Sequence, residues 1–266
     1  MSTVDIHPHV IARDTRRYPF APLGGKQSDW SRERPVDAEK MLAAMDEAGI
    51  EKSVLVQAST CYGHDNSYVA DAVAAHPDRF TGVFSVDMLA ADAPQRIGHW
   101  LGRGLKGLRV FIAGHTTAHD ARLDDPRSFP AWRCAVDAGV PVCVQLRAPG
   151  LPQLETLLKE FPSVRVVLDH MARPAPDEPA SLLTLARYPN LFLKFTTHNV
   201  RDAADPQAFM RKVVDAFGAR RIAWGSNYPA SEGTLEELLA EARQAVSALP
   251  ASDQDWIFSR TAKSLY

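Results

Sequence analysis

The stretch Val4-Asp5-Ile6-His7-Pro8-His9 opens a chain of 266 residues, and the three residues that close it decide the fold. Val4 and Ile6 alternate with polar neighbours, the period of two expected of a β-strand. An open, doubly wound α/β sheet usually carries a glycine-rich phosphate turn directly after its first strand. Here that place holds His-Pro-His, and the later Gly24-Gly25-Lys26 lacks the spacing of a phosphate-binding loop. Seven further β-branched runs occur, at 52–57, 80–87, 105–111, 141–147, 164–170, 191–196 and 221–227. Amphipathic stretches separate them, at 37–48, 66–75, 97–101, 129–138, 154–161, 182–187 and 209–217, with 235–249 and a segment around Trp256 closing the chain. Gly49, Gly139 and Gly218 stop three of these helices, and Asp65 reads as the N-cap of the helix 66–75.

Eight units in this length average about 33 residues, the size of one βαβ repeat. Alternating strands and helices imply parallel pairing with the helices outside. The expected class is α/β: a (β/α)8 TIM barrel, one domain over residues 1–266. Hydrophobic residues at 45% and charged residues at 23% exclude a disordered or fibrous chain. Thirty basic and thirty-two acidic side chains give a net charge of −2 without a like-charge block, so neither nucleic acid nor an anionic membrane is expected as partner. The basic set is 22 Arg and 8 Lys, a bias suited to gripping carboxylates. Cys61, Cys134 and Cys143 are odd in number and unpaired in spacing, which argues against a disulfide framework. Cys61 reads as an accessible loop residue and the other two as buried. No apolar run precedes Val4 and none reaches eighteen residues, so a cytoplasmic protein is expected. Oligomeric state is not legible.

The nine histidines are unevenly placed. His76 and His99 fall in or at the ends of helices; His7, His9, His64, His115, His119, His170 and His198 close or follow strands. In a barrel these are rim positions at the C-terminal face, from which such folds draw their chemistry. His64, His115 and His119 read as ordinary polar loop residues. His7 and His9 lie two apart on a strand and therefore point to one face. The long segment 10–35 carries Tyr18, Phe20, Trp30 and five arginines, and reads either as an ordered surface loop or as a substrate lid.

Five motifs together carry a resemblance: Asp5-Ile6-His7-Pro8-His9, His64-Asp65-Asn66, Gly104-Leu-Lys-Gly-Leu-Arg109, Val167-Leu-Asp-His-Met-Ala-Arg-Pro174 and Trp224-Gly-Ser-Asn-Tyr-Pro229. In them the chain resembles the amidohydrolase superfamily, specifically its amidohydrolase-related branch of lactonases and decarboxylases. The resemblance implies an enzyme that opens a small carboxylated cyclic ester. It also implies a metal site, where one is used, built from the strand-one pair, a strand-five histidine and a strand-eight aspartate. Strand five reads Val142-Cys-Val-Gln-Leu-Arg147, without a histidine, and strand eight has Asn227. A neutral amide is a poor zinc ligand. The expectation is therefore that no cofactor is required, with one divalent zinc on His7, His9 and His170 as the alternative.

The resemblance further implies that a strand-eight carboxylate assists the attacking water. Asn227 can orient water but cannot accept a proton. The base is then expected to be His170, with His7 or His9 next, the strand-one pair polarising the carbonyl. Arg109 and Arg147 are expected to clamp substrate oxygens, with Gln57, Arg173, Lys194 and Tyr228 as further contacts. For Lys194 a plain surface ion pair or rim hydrogen bond is the stronger reading. A lactone isomerase, a metal-dependent decarboxylase and a non-catalytic barrel that binds small acids remain open beside the hydrolase.

Overall fold

In the computed structural model the described residues are 2–111, 121–175 and 179–266. Eight parallel strands run in chain order around one sheet: β1 (Val4–Asp5), β2 (Lys52–Val56), β3 (Phe80–Ser85), β4 (Gly107–Phe111), β5 (Val142–Gln145), β6 (Val166–Leu168), β7 (Leu191–Thr196) and β8 (Ile222–Gly225). The ring closes where Ile6 N donates to the Trp224 carbonyl at 3.1 Å and His9 N to that of Tyr228 at 2.8 Å. Helices such as Ala38–Ala48, Ser67–Ala75 and Pro206–Phe217 alternate with the strands, so the fold is a single-domain (β/α)8 barrel.

Alternation along each strand sorts two cores. Leu55, Leu108, Val144, Leu168, Leu193 and Phe195 face outward and pack under helix residues such as Met41, Leu154 and Phe209. The intervening positions face the barrel axis, where Val54, Val56, Val83, Cys143 and Val167 form a smaller apolar cluster with Tyr266 packed against it. Pairing places Arg109 beside Cys143, Cys143 beside Val167, and Lys194 beside Ala223. The same parity therefore sends Arg109, Asp169 and Lys194 inward, and all three are buried.

Most strands are shorter than expected, because the polar residues that close them already belong to turns: β1 ends at Asp5, β6 at Leu168 and β8 at Gly225. The N-cap of the helix Ser67–Ala75 is Asn66, not Asp65; the Asp65 carboxylate instead accepts from the backbone and hydroxyl of Ser67. Cys61 is also corrected. It lies in the short helix Ser59–Tyr62 and is fully buried against Ile11, Tyr18 and Tyr62 from the segments around it. His115 and His119 lie outside the described residues.

Candidate active site

The floor of the site is a buried charge cluster. Asp169 receives Lys194 Nζ at 2.8 Å on Oδ1 and Arg109 Nε at 3.1 Å on Oδ2. Arg109 also donates from Nη1 to the Gln57 carbonyl at 3.2 Å, and its guanidinium lies 4.7 Å from the centre of the Phe111 ring. Burial alone would raise the Asp169 carboxyl, but Lys194 and Arg109 outweigh it and hold the pKa at about 2. Lys194 and Arg109 thus bracket the Asp169 carboxylate, and the buried Asp5 carboxyl, raised by burial, also feels Lys194.

Above it stand the imidazoles. The His7 ring lies 5.0 Å from His9 and 4.8 Å from His170, and His170 lies 5.0 Å from His198. His7 Nδ1 is 3.6 Å from Asp169 Oδ1, and neither ring nitrogen of His7 has a hydrogen-bond partner in its buried setting. His9 Nδ1 lies 2.8 Å from the Val56 carbonyl. A carbonyl only accepts, so this nitrogen carries the proton and Nε2 of neutral His9 is an acceptor. His170 Nδ1 meets Thr196 Oγ1 at 2.9 Å, and that hydroxyl also reaches Asn199 Oδ1 at 3.4 Å. Burial drives all three rings toward the neutral form. His9 falls to about 3, with Arg109 adding to the effect. His7 and His170 drop well below 6.5; Lys194 reinforces the shift at His7, whereas Asp169 opposes it at His170.

Backbone geometry holds these rings in place. Asp5 Oδ1 accepts from His7 N at 2.9 Å and Ser226 N at 2.8 Å, tying the end of β1 to the end of β8. Gly225 must be glycine here, because a Cβ would stand 2.5 Å from His7 Cβ. After β6 the chain turns left-handed through His170, Met171, Ala172 and Arg173, with φ of 54, 52, 58 and 46°. Non-glycine residues disfavour this region by about 1–2 kcal/mol each, and such outliers gather where function demands a particular side-chain direction. Asn199 Nδ2 donates to the His170 carbonyl at 2.9 Å and fastens the turn. Asn227 is left-handed too, at φ 59°, a conformation asparagine tolerates. Its Nδ2 lies 3.1 Å from Ser231 Oγ and 3.5 Å from His198 Nε2.

The remaining expected contacts separate. Arg147 is exposed just beyond β5; its carbonyl accepts from Gly150 N at 2.8 Å, while its guanidinium makes no hydrogen bond or ion pair among the described residues and has Asp202 as its attracting charge. Arg173 is held by Asp202 at 2.8 and 3.0 Å. Gln57 Nε2 is engaged by the carbonyls of Gly63 and Asp65, at 3.2 and 2.7 Å. The Tyr228 ring packs against the helix-side core with Glu47 as its charged neighbour. Lys194 is wholly buried and departs from the surface-pair reading. Its alternation with Leu193 and Phe195 was the available signal. His198, to which the sequence assigned no role, stands beside His170 and Asn227; burial and then Arg173 bring it to about 4.

The alternative expectation, one zinc on His7, His9 and His170, has in its favour the two unpartnered ring nitrogens of His7 and the acceptor Nε2 of His9. Among the described residues no three His, Cys, Asp or Glu side chains are arranged to hold a metal ion together. Asp169 is engaged by two cations, β5 presents Cys143 and Gln145, and Asn227 offers a neutral amide.

The amidohydrolase family profile matches residues 4–266. The chain belongs to the amidohydrolase family. This amidohydrolase is thus a hydrolase by family, and its imidazole cluster sits where strands of the barrel end. It is 29% identical over 243 residues to L-fucono-1,5-lactonase of Burkholderia ambifaria, covering 86% of this chain and 80% of that one. A probable 2-pyrone-4,6-dicarboxylic acid hydrolase from Acinetobacter baumannii, with citric acid bound, shares the fold at a TM-score of 0.78 and 20% identity, over 100% of this chain and 99% of its own. A Burkholderia multivorans amidohydrolase with bound zinc superposes at 0.79 and 19% identity, with the same coverage. No helix among the described residues is long and apolar enough to cross a membrane.

Proposed function

We propose that this amidohydrolase opens a small carboxylated lactone by attack of water, without a metal. The observation that carries the reading is the meeting of neutral His7, His9 and His170 over the buried Asp169–Lys194–Arg109 cluster. The names of the L-fucono-1,5-lactonase relative and of the pyrone dicarboxylic acid hydrolase fold neighbour support it, as does the citric acid bound to the latter. Its three free cysteines accord with a reducing, cytoplasmic setting.

In this mechanism His170 accepts a proton from water while the water oxygen bonds to the lactone carbonyl carbon. His9 Nε2, an acceptor in the neutral ring, orients that water. The carbonyl-polarising role expected of His9 therefore passes to cationic donors. Arg109 lies beneath the centre and stabilises the developing oxyanion; the exposed Arg147, whose neighbouring carboxylate Asp202 is ion-paired to Arg173, takes the substrate carboxylate. The ring C–O bond then breaks, and the His170 imidazolium returns its proton to the departing alkoxide, giving a hydroxy acid. Trp30, in the segment 10–35, stacks on His9 with ring centres 5.3 Å apart, and its withdrawal admits substrate, which makes this segment the lid.

Turnover in ¹⁸O-labelled water tests the reaction class. Hydrolysis is expected to place one label in the product carboxylate. A rearranged lactone without label would mean isomerisation, and loss of carbon dioxide would mean decarboxylation.

A further inference from the structure

We infer that Thr196 is a positioning residue: it pins the proton of neutral His170 on Nδ1 and so leaves Nε2 as the lone-pair nitrogen that takes the proton from water. The inference rests on the reading of His170 as the base given above. Thr196 closes β7, and Asn199 follows in the short helix Thr197–Arg201, which the two residues cap reciprocally. Both are buried, so their polar atoms have to find partners within the protein.

Backbone groups with fixed roles orient the Asn199 amide. Its Oδ1 accepts from Thr196 N at 3.0 Å, and its Nδ2 donates to the His170 carbonyl at 2.9 Å. A backbone N–H only donates and a carbonyl only accepts, so the amide oxygen and nitrogen cannot exchange places. Thr196 Oγ1 therefore has two neighbours of different kind, the acceptor Asn199 Oδ1 at 3.4 Å and His170 Nδ1 at 2.9 Å. The hydroxyl carries one proton to place between them. Given to Oδ1, it leaves an oxygen lone pair that accepts from Nδ1–H. Given to Nδ1, it would set Oγ1 and Oδ1 lone pair against lone pair in a buried setting, which is unfavourable. The first arrangement pairs every group and puts the acceptor of the neutral ring on Nε2. The same Asn199 amide fastens the left-handed turn that carries His170. Asn199 thus fixes where the ring stands, and Thr196 which of its nitrogens is bare.

Long-range ¹H–¹⁵N correlation spectra of protein labelled at the histidine nitrogens read the tautomer at neutral pH, with His170 assigned by the signals missing from His170→Asn. A protonated Nδ1 and a bare Nε2 are expected in the wild type. Thr196→Val, which puts a methyl where the hydroxyl was, is expected to lose that pattern. Its kcat on a carboxylated 2-pyrone or γ-lactone is expected to fall about ten- to a hundredfold, less than removal of the base itself costs. KM is expected to change little, because the buried Thr196 acts through His170. Thr196→Ser, which retains the hydroxyl, is expected to keep both the tautomer and kcat; thermal denaturation checks that the variants fold. A wild-type proton on Nε2 overturns the inference, as does a folded Thr196→Val with tautomer and kcat unchanged. Turnover of neither lactone by the wild type would remove the lactone reading and the base role with it, while the spectra of the resting protein still decide whether Thr196 holds the ring proton.

Discussion

A His170→Asn protein is expected to fold as the wild type does and to lose two to four orders of magnitude in kcat, the usual worth of a positioned general base. Asparagine suits the test because it tolerates the left-handed φ of 54° that this position requires. It keeps a polar head near Thr196 but cannot take a proton. Burial holds the wild-type ring neutral well below 6.5, so kcat/KM is expected to stay level down to that pH and to fall only in more acid solution, as the base becomes protonated. Matched loss of activity and thermal stability would make His170 structural. Unchanged kcat would move the base to His9 or His198.

Asp169→Ala is expected to cost about 3–5 kcal/mol of stability, because Lys194 and Arg109 would remain buried without their carboxylate. For a chain of this size that lowers the melting temperature by roughly 10 °C. The Asp169→Leu, Lys194→Met double variant is expected to recover at least half the loss, since apolar groups of similar volume replace a buried ion pair at little cost. Urea denaturation measures both. An Asp169→Ala protein within about 1 kcal/mol of wild type would mean that water reaches these charges, and would remove the dry floor on which the neutral imidazoles depend.

The number of strands was legible because each β-branched run carries its own period of two, and His-Pro-His in place of a glycine turn moved the reading from open sheet to closed ring. Strand ends were not. The residues closing the first, sixth and eighth runs continue their composition, yet the chain there passes into turns, with left-handed backbone at His170 and Asn227. Asparagine hints at such a turn; nothing in His170-Met-Ala-Arg173 does, because Asn199 and the packing around it impose the conformation from a distance. The pairing of His7 with His9 followed from spacing alone. The charge floor did not, because Arg109 and Lys194 come from two strands and Asp169 from the turn after a third, and their inward direction has meaning only once the barrel closes. Arg173 stood in the sequence as a further contact beside the Arg109 and Arg147 clamp, and only the fold reveals that Asp202 pairs with it.

The proposed chemistry stands or falls on imidazoles over the buried Asp169–Lys194–Arg109 cluster moving the proton unaided by an ion. The decisive experiment is elemental analysis of protein purified without added metal, with kcat taken on the same sample before and after chelation. Metal far below one atom per chain is expected, together with a kcat that chelation leaves unchanged. One zinc per chain, with activity lost on chelation and restored by zinc, would contradict it.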